Sequence, residues 1–292
     1  MNVLTFDIED WYLEKIFNGN RQEKYAEYDQ CLDVILDILD QRTIKGTFFC
    51  TGGMVTDFPE VVRKIEKRGH EIGCHSFWHK RLDKLDKNEV KEDTRIAIDT
   101  LEQCIGHKVR SYRAPFFSVC QRNNWVFEIL AEAGIERDTS VFPAKRDYGG
   151  YSQFKHKEPV LINNNGLLIK EFPINTISFM GKDIVYSGGG FFRFFPLEFI
   201  KRQMMKTNYT MTYLHISDFI TRYQDVKTRK EYEEYYKESG TLFNRYKRYI
   251  KSSIGKKTAL KKFSYLVESI HFNNMEQTDS MIDWNRQSVI VL

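Results

Sequence analysis

"GTFFCTGGMVTDFPEVVRKIEKRGHEIGCHSFWH", residues 46–79, decides the fold class of this chain. "TFFC" is a short apolar run closed by glycines, as a buried strand would be. "DFPEVVRKIEKRG" then places apolar side chains at helical spacing, with Asp57 at its start, Pro59 in its first turn and Gly69 after its end. "HEIGCHS" reads as the next strand. Two strands joined by a crossover helix pair in parallel, because a tight turn can join only antiparallel neighbours.

The alternation continues on both sides. "MNVLTFDIED" is a β-prone run that stops at acids, and "YAEYDQCLDVILDILDQR" is an amphipathic helix. Downstream come a charged helix over 87–105, a strand and loop in "VRSYRAPFFS", and a helix in "NNWVFEILAEAG". After Ile135 follow "LLIKEFPIN", a glycine-rich "YSGGGFFRFFP", a helix near 196–206 and a strand in "YTMTYLHISDF". From about Thr221 the composition shifts to tyrosine, lysine and glutamate, "TRKEYEEYYKESGTLFNRYKRYIKSS", predicting a helical C-terminal extension. The expected organisation is an α/β barrel over residues 1–220 with residues 221–292 packed on or beside it.

Composition narrows the class. The 292 residues are 41% hydrophobic and 29% charged, enough for a sizeable core. With 44 basic against 40 acidic residues the balance makes no general case for nucleic acid. The N-terminus lacks the basic start and long apolar run of a signal peptide, and no window approaches the ~20 apolar residues of a membrane span. The five cysteines are scattered, which reads as reduced thiols in a cytoplasmic protein. The basic, aromatic extension raises the expectation of a peripheral membrane contact there.

In a closed parallel sheet the strand ends meet at one rim, so chemistry should sit just past them. Asp7, Glu9 and Asp10 follow the first strand, His75 and His79 a later one. Arg113 and Pro115, then Asp138, then His215 follow the others. One carboxylate with two imidazoles makes a three-ligand divalent site, zinc first, that leaves a position for water. A second carboxylate can act as base, an adjacent arginine favours its ionised form, and a further histidine can protonate a leaving amine. His70, His107, His156 and His271 read as structural or surface residues.

"TFDIED", "HSFWH", "RAPFF" and "YLHISDF", in this order, resemble the motifs of the polysaccharide deacetylases, carbohydrate esterase family 4. The resemblance covers about residues 2–220, and "GGGFFRFFP" with "DIED" is similar to the bacterial branch associated with exopolysaccharide synthesis. It implies a distorted (β/α) barrel of about seven strands that removes N-acetyl groups from an amino-sugar glycan or its precursor. Asp7 would be the base, His75 and His79 metal ligands, Arg113 the residue orienting the base, and His215 the acid. The Phe116 backbone N–H would help hold the oxyanion, with Pro115 and Trp78 against substrate. Two departures are visible. Ile8 splits the family's adjacent acids, leaving Glu9 as first choice of ligand and Asp10 as second. The acid that tunes the histidine is matched by Asp138, with Asp218 as the other candidate. A hydrolase of a ureide or formamide, and a barrel that binds glycan without turnover, are the alternatives.

Overall fold

The computed structural model describes residues 1–9, 21–146, 149–179, 181–221, 226–236 and 238–292. Its main sheet contains β1 (Thr5–Ile8), β2 (Thr47–Cys50), β3 (Glu71–Cys74), β4 (Ser111–Tyr112), β5 (Arg137–Asp138), β6 (Val160–Asn164), β7 (Leu167–Glu171), β8 (Leu214–His215) and β9 (Val289–Val291). The order is β8-β1-β2-β3-β4-β5-β7-β6-β9. From β8 to β7 the seven strands are parallel, as the crossover helices require. Only β6 runs against its neighbour β7, joined to it by a hairpin through Asn165 and Gly166, both at positive φ.

Strands β1 to β5 are buried on both faces, and the two faces feed different cores. In β2, Phe48 joins the layer between sheet and helices, where it stacks on Phe6 at 4.8 Å between ring centroids. The next residue, Phe49, points into the barrel interior with Phe117, Phe142, Phe172 and Tyr213. The same period sends Phe6 and Ile8 outward to the helices and leaves Asp7 on the inner side.

Closure between β7 and β8 relies on side chains as well as backbone. Asn175 donates to the Tyr209 carbonyl at 2.9 Å and accepts from the Met211 N–H at 2.6 Å. Gly188 bridges Tyr213 so closely that a Cβ there would lie 2.3 Å from the Tyr213 oxygen. In β3 a Cβ on Gly73 would lie 2.5 Å from the Phe49 ring. Gly73→Ala is therefore expected to destabilise the fold by about 1–3 kcal/mol through overpacking. Urea denaturation would show it as a lower midpoint, and an unchanged midpoint would contradict the close packing.

The crossover between β2 and β3 departs from the sequence expectation in one detail. Gly52–Asp57 forms a short helix of its own, so Asp57 ends that helix and Phe58 is the N-cap of Pro59–Lys67. The helix Lys87–Ile105, expected over the same residues, begins with an Asp86/Glu89 capping box and ends at Gly106 in the left-handed region.

Beyond residue 221 the chain has two kinds of attachment. Phe263, in the helix Lys256–Ser269, meets Phe6 edge-on at 5.7 Å, and β9 pairs with β6 in the main sheet. The helix Leu242–Ser253 contributes no buried residue at all.

Candidate active site

All the donor groups lie at the C-terminal ends of the parallel strands. β8 and β1 pair His215 with Asp7 in register, which sets these two residues side by side. Glu9 follows β1, His75 follows β3 and Arg113 follows β4.

Glu9 receives both imidazoles of the His75/His79 couple on one oxygen. The Oε2 atom lies 2.8 Å from His75 Nε2 and in contact with His79 Nε2. The three donor atoms fall within 4.8 Å of one another, the only such His/Cys/Asp/Glu cluster among the described residues. His75 Nδ1 donates to the Arg113 carbonyl at 2.7 Å, which leaves Nε2, the nitrogen facing Glu9, as the one that would bind a cation. Burial pushes the Glu9 carboxyl up, but His79, His215 and His75 outweigh it and hold it well below the usual range. A buried carboxylate and two aligned imidazole nitrogens fit a divalent cation with an open position. Asp10 lies outside the described residues, as do Trp11 and Tyr12.

The histidine pair is not helical. Ser76 and His79 take φ of 62° and 53°, and Asp93 clamps the loop by accepting from the N–H groups of Phe77 and Trp78 at 2.9 and 3.1 Å. Phe116 and Phe117, in the turn after β4, take φ of 58° and 51°. Left-handed backbone at bulky residues costs about 1–3 kcal/mol each and persists where the surroundings impose it, commonly at functional sites. Asp93 escaped the sequence reading although its signal was there, an acid on the apolar stripe of a helix beside Val90, Ala97 and Leu101.

Asp7 pairs with Arg113, whose Nη1 donates to its Oδ1 at 2.6 Å with both groups buried. Among the described residues nothing accepts from Arg113 Nε or Nη2; instead the Phe49 and Phe117 rings cover the cation, with centroids 4.3 and 5.5 Å away. His215 Nε2 faces Asp7 Oδ2 at 3.7 Å and Glu9 Oε1 at 3.4 Å.

The carboxylate beside His215 corrects one expectation. Asp138 does not reach His215: its oxygens accept from Ser140 Oγ and N–H at 2.6 and 3.1 Å, and it is packed against Glu171. Ser140 in turn accepts from the Ala114 N–H at 2.8 Å, so Asp138 holds the loop that carries Arg113. Asp218 is the residue beside His215, with Oδ2 3.5 Å from Nδ1 and accepting the His215 N–H at 3.0 Å. Its other oxygen pairs with Arg193 at 2.9 Å.

Burial pushes the Asp218 carboxyl up, but His215 and Arg193 outweigh it and hold it below the usual range. A depressed carboxyl stabilises the fold above its unfolded value of about 4 and loses that contribution as the pH falls through the lower folded value. Asp218→Asn is therefore expected to be less stable than the parent at about pH 7, with the difference shrinking as the pH falls below the unfolded value of about 4, by urea denaturation across that range. A difference that stays constant as the pH falls would contradict the ionised pairing.

Pro115, expected against substrate, is buried and starts the turn Pro115–Phe117, where Ser118 Oγ donates to its carbonyl at 2.6 Å. Phe116 is exposed and its ring packs on His79 at 4.8 Å between centroids. Trp78 is exposed beside the histidine loop. A cleft of about 630 Å³ opens at His215, walled by Arg146, Gly189, Phe191, Phe194, Tyr213 and Ile250 among others. Trp78 does not line it. Away from the rim, His70 accepts from the Gly46 N–H at 3.1 Å, and burial pushes its imidazole down to about 4, a structural role as expected.

Residues 3–137 match the polysaccharide deacetylase family. The chain carries a polysaccharide deacetylase domain. Residues 139–279 match a domain of unknown function (DUF3473), so Arg193, His215 and Asp218 come from the second segment, and Asp7, Glu9, His75, His79 and Arg113 from the first. A peptidoglycan-N-acetylglucosamine deacetylase of Bacillus cereus is 30% identical over 120 residues, 38% of this chain and 44% of that protein. The chain thus spans less than half the length of that curated relative. A structure from Mycobacterium smegmatis described as a polysaccharide deacetylase superposes with a TM-score of 0.64 at 17% identity, covering 100% of this chain and 92% of that one. Puue allantoinase superposes at 0.57 with 13% identity, covering 94% and 87%. These two share the deacetylase domain's distorted barrel.

Proposed function

We propose that this chain is a metal-dependent hydrolase that removes N-acetyl groups from an amino-sugar-containing glycan or glycan precursor and releases acetate. The observation that carries the reading is the convergence, at one rim, of a base paired with arginine, a Glu/His/His donor set and a histidine backed by a carboxylate. A mere binder has no need of all three.

Glu9, His75 and His79 would hold the cation, zinc being the first choice for this donor set. Bound there, a divalent ion would supply Lewis acidity toward a water and the acetyl carbonyl. Asp7, oriented by Arg113, takes a proton from the water as its oxygen bonds to the carbonyl carbon. The amide C–N bond then breaks, and His215, oriented by Asp218, gives its proton to the departing nitrogen. The Phe116 peptide at the rim is the protein's candidate for steadying the oxyanion. The barrel itself does not choose between amides, since an allantoinase shares it. Sequence similarity to peptidoglycan and chitooligosaccharide deacetylases favours the sugar. Five unpaired cysteines, including the neighbours Cys50 and Cys74, favour a reducing compartment such as the cytoplasm.

Acetate release from N-acetylated glucosamine oligomers is expected to stop on treatment with dipicolinate and to return with zinc. Undiminished turnover in a preparation shown metal-free by elemental analysis would overturn the metal role. Turnover of ureides or formamides, with none of any acetylated sugar, would favour the small-amide reading.

A further inference from the structure

The helix Leu242–Ser253 is amphipathic the wrong way round for a globular protein. Its polar groups face the segment that precedes it: Asn244 donates to the Ser239 carbonyl at 2.9 Å, Arg245 to the Lys227 carbonyl at 3.1 Å, and Arg248 lies 3.6 Å from Glu238. Its apolar groups face away. Leu242 is 65% exposed, Phe243 73%, Tyr246 52% and Ile250 58%, a spacing that lines them along one side of the helix. Phe194, 59% exposed, extends the stripe across the cleft mouth, which Ile250, Lys251 and Ile254 also line.

We propose that this face is a peripheral binding surface for an anionic lipid bilayer, seating the cleft that holds His215 at the membrane surface. The charge around it selects that occupant. Between Gly240 and Val267 the chain has eight lysines and arginines and no acidic residue. Lys247 and Lys251 lie on the exposed side of the same helix, and Lys247 sits 6.0 Å from the Phe243 ring centroid. A helix with aromatic and aliphatic side chains on one side, flanked by lysines, lies in the headgroup region of acidic bilayers. A soluble polyanion would use the lysines and leave the apolar stripe in water. A second copy of this chain would bring a matching set of positive charges against these. Among the described residues no helix is long and apolar enough to cross a membrane, so the contact is with the surface.

The helix is also fastened to the site. Arg193, which pairs with Asp218, donates to the carbonyls of Ser252 and Ile254 at 2.6 and 2.9 Å, at the helix C-terminus. Bilayer seating would thus hold the element that walls the cleft and bring a membrane-attached glycan to it, whichever amide is cleaved.

The full chain should co-sediment with vesicles of phosphatidylglycerol and phosphatidylcholine at least about tenfold better than with pure phosphatidylcholine, and less well at high salt. The double substitution Phe243→Glu and Tyr246→Glu should lower that partition at least about tenfold, with an unchanged thermal midpoint and unchanged hydrolysis of a short soluble substrate. The proposal is overturned if the parent stays in the supernatant with acidic vesicles, or if the variant sediments equally. It is also overturned if the parent is a dimer that these substitutions convert to monomer. Vesicle binding needs no substrate, so its failure is separable from failure of the deacetylase reading.

Discussion

Asp7→Asn should reduce kcat for acetate release by about 10²- to 10⁴-fold, the range for loss of a general base. The change is nearly isosteric, so Arg113 keeps an oxygen to donate to, and Glu9, His75 and His79 keep their places around the cation position. The informative readout is therefore the split: kcat falls while the metal content of the purified variant stays at the parent level. A variant within tenfold of the parent would remove Asp7 from the role of base. In that event Glu9, 3.4 Å from His215 Nε2, would be the next carboxylate to examine.

Arg113→Met is expected to show the largest loss of stability among the site residues. It removes the partner of a carboxylate that is 3% exposed and so leaves a buried charge uncompensated. Breaking such a pair from one side costs about 3–5 kcal/mol. For a chain of this size that corresponds to a fall in thermal midpoint on the order of 10 °C. The Phe49 and Phe117 rings that now cover the guanidinium would also lose contact, though methionine retains part of it. Adding Asp7→Asn to Arg113→Met should recover a substantial fraction, because neither charge is then buried alone. A single variant as stable as the parent, or a double variant no better than the single, would show that the pair is solvated in solution.

Much of this was legible before any coordinates. The strand-helix-strand reading of residues 46–79 required parallel pairing, and parallel pairing required one rim for the strand ends. From that, Asp7, His75, Arg113 and His215 could be brought together without knowing any distance. Glu9, the first choice of ligand from the sequence, also lies against both imidazoles. These inferences succeed because period-two and period-3.6 patterns are local, and because the rim collects whatever stands at the strand ends.

What the chain order left open was decided by how far each side chain reaches once the barrel closes. Asp138 leaves its strand in the expected place, yet Ser140 and Glu171 engage it, and Asp218, only three residues past His215, folds back onto the imidazole instead. Asp93 and Arg193 act from elements distant in sequence, clamping the histidine loop and tying Asp218 to the helix Leu242–Ser253. The outward turn of that helix's apolar side has the same origin, since periodicity reports that a helix has two faces and only the packing decides which one meets water. The sequence by itself determined the donor types and the rim they share. The tertiary structure decided their partners, because those depend on long-range closure that no local spacing encodes.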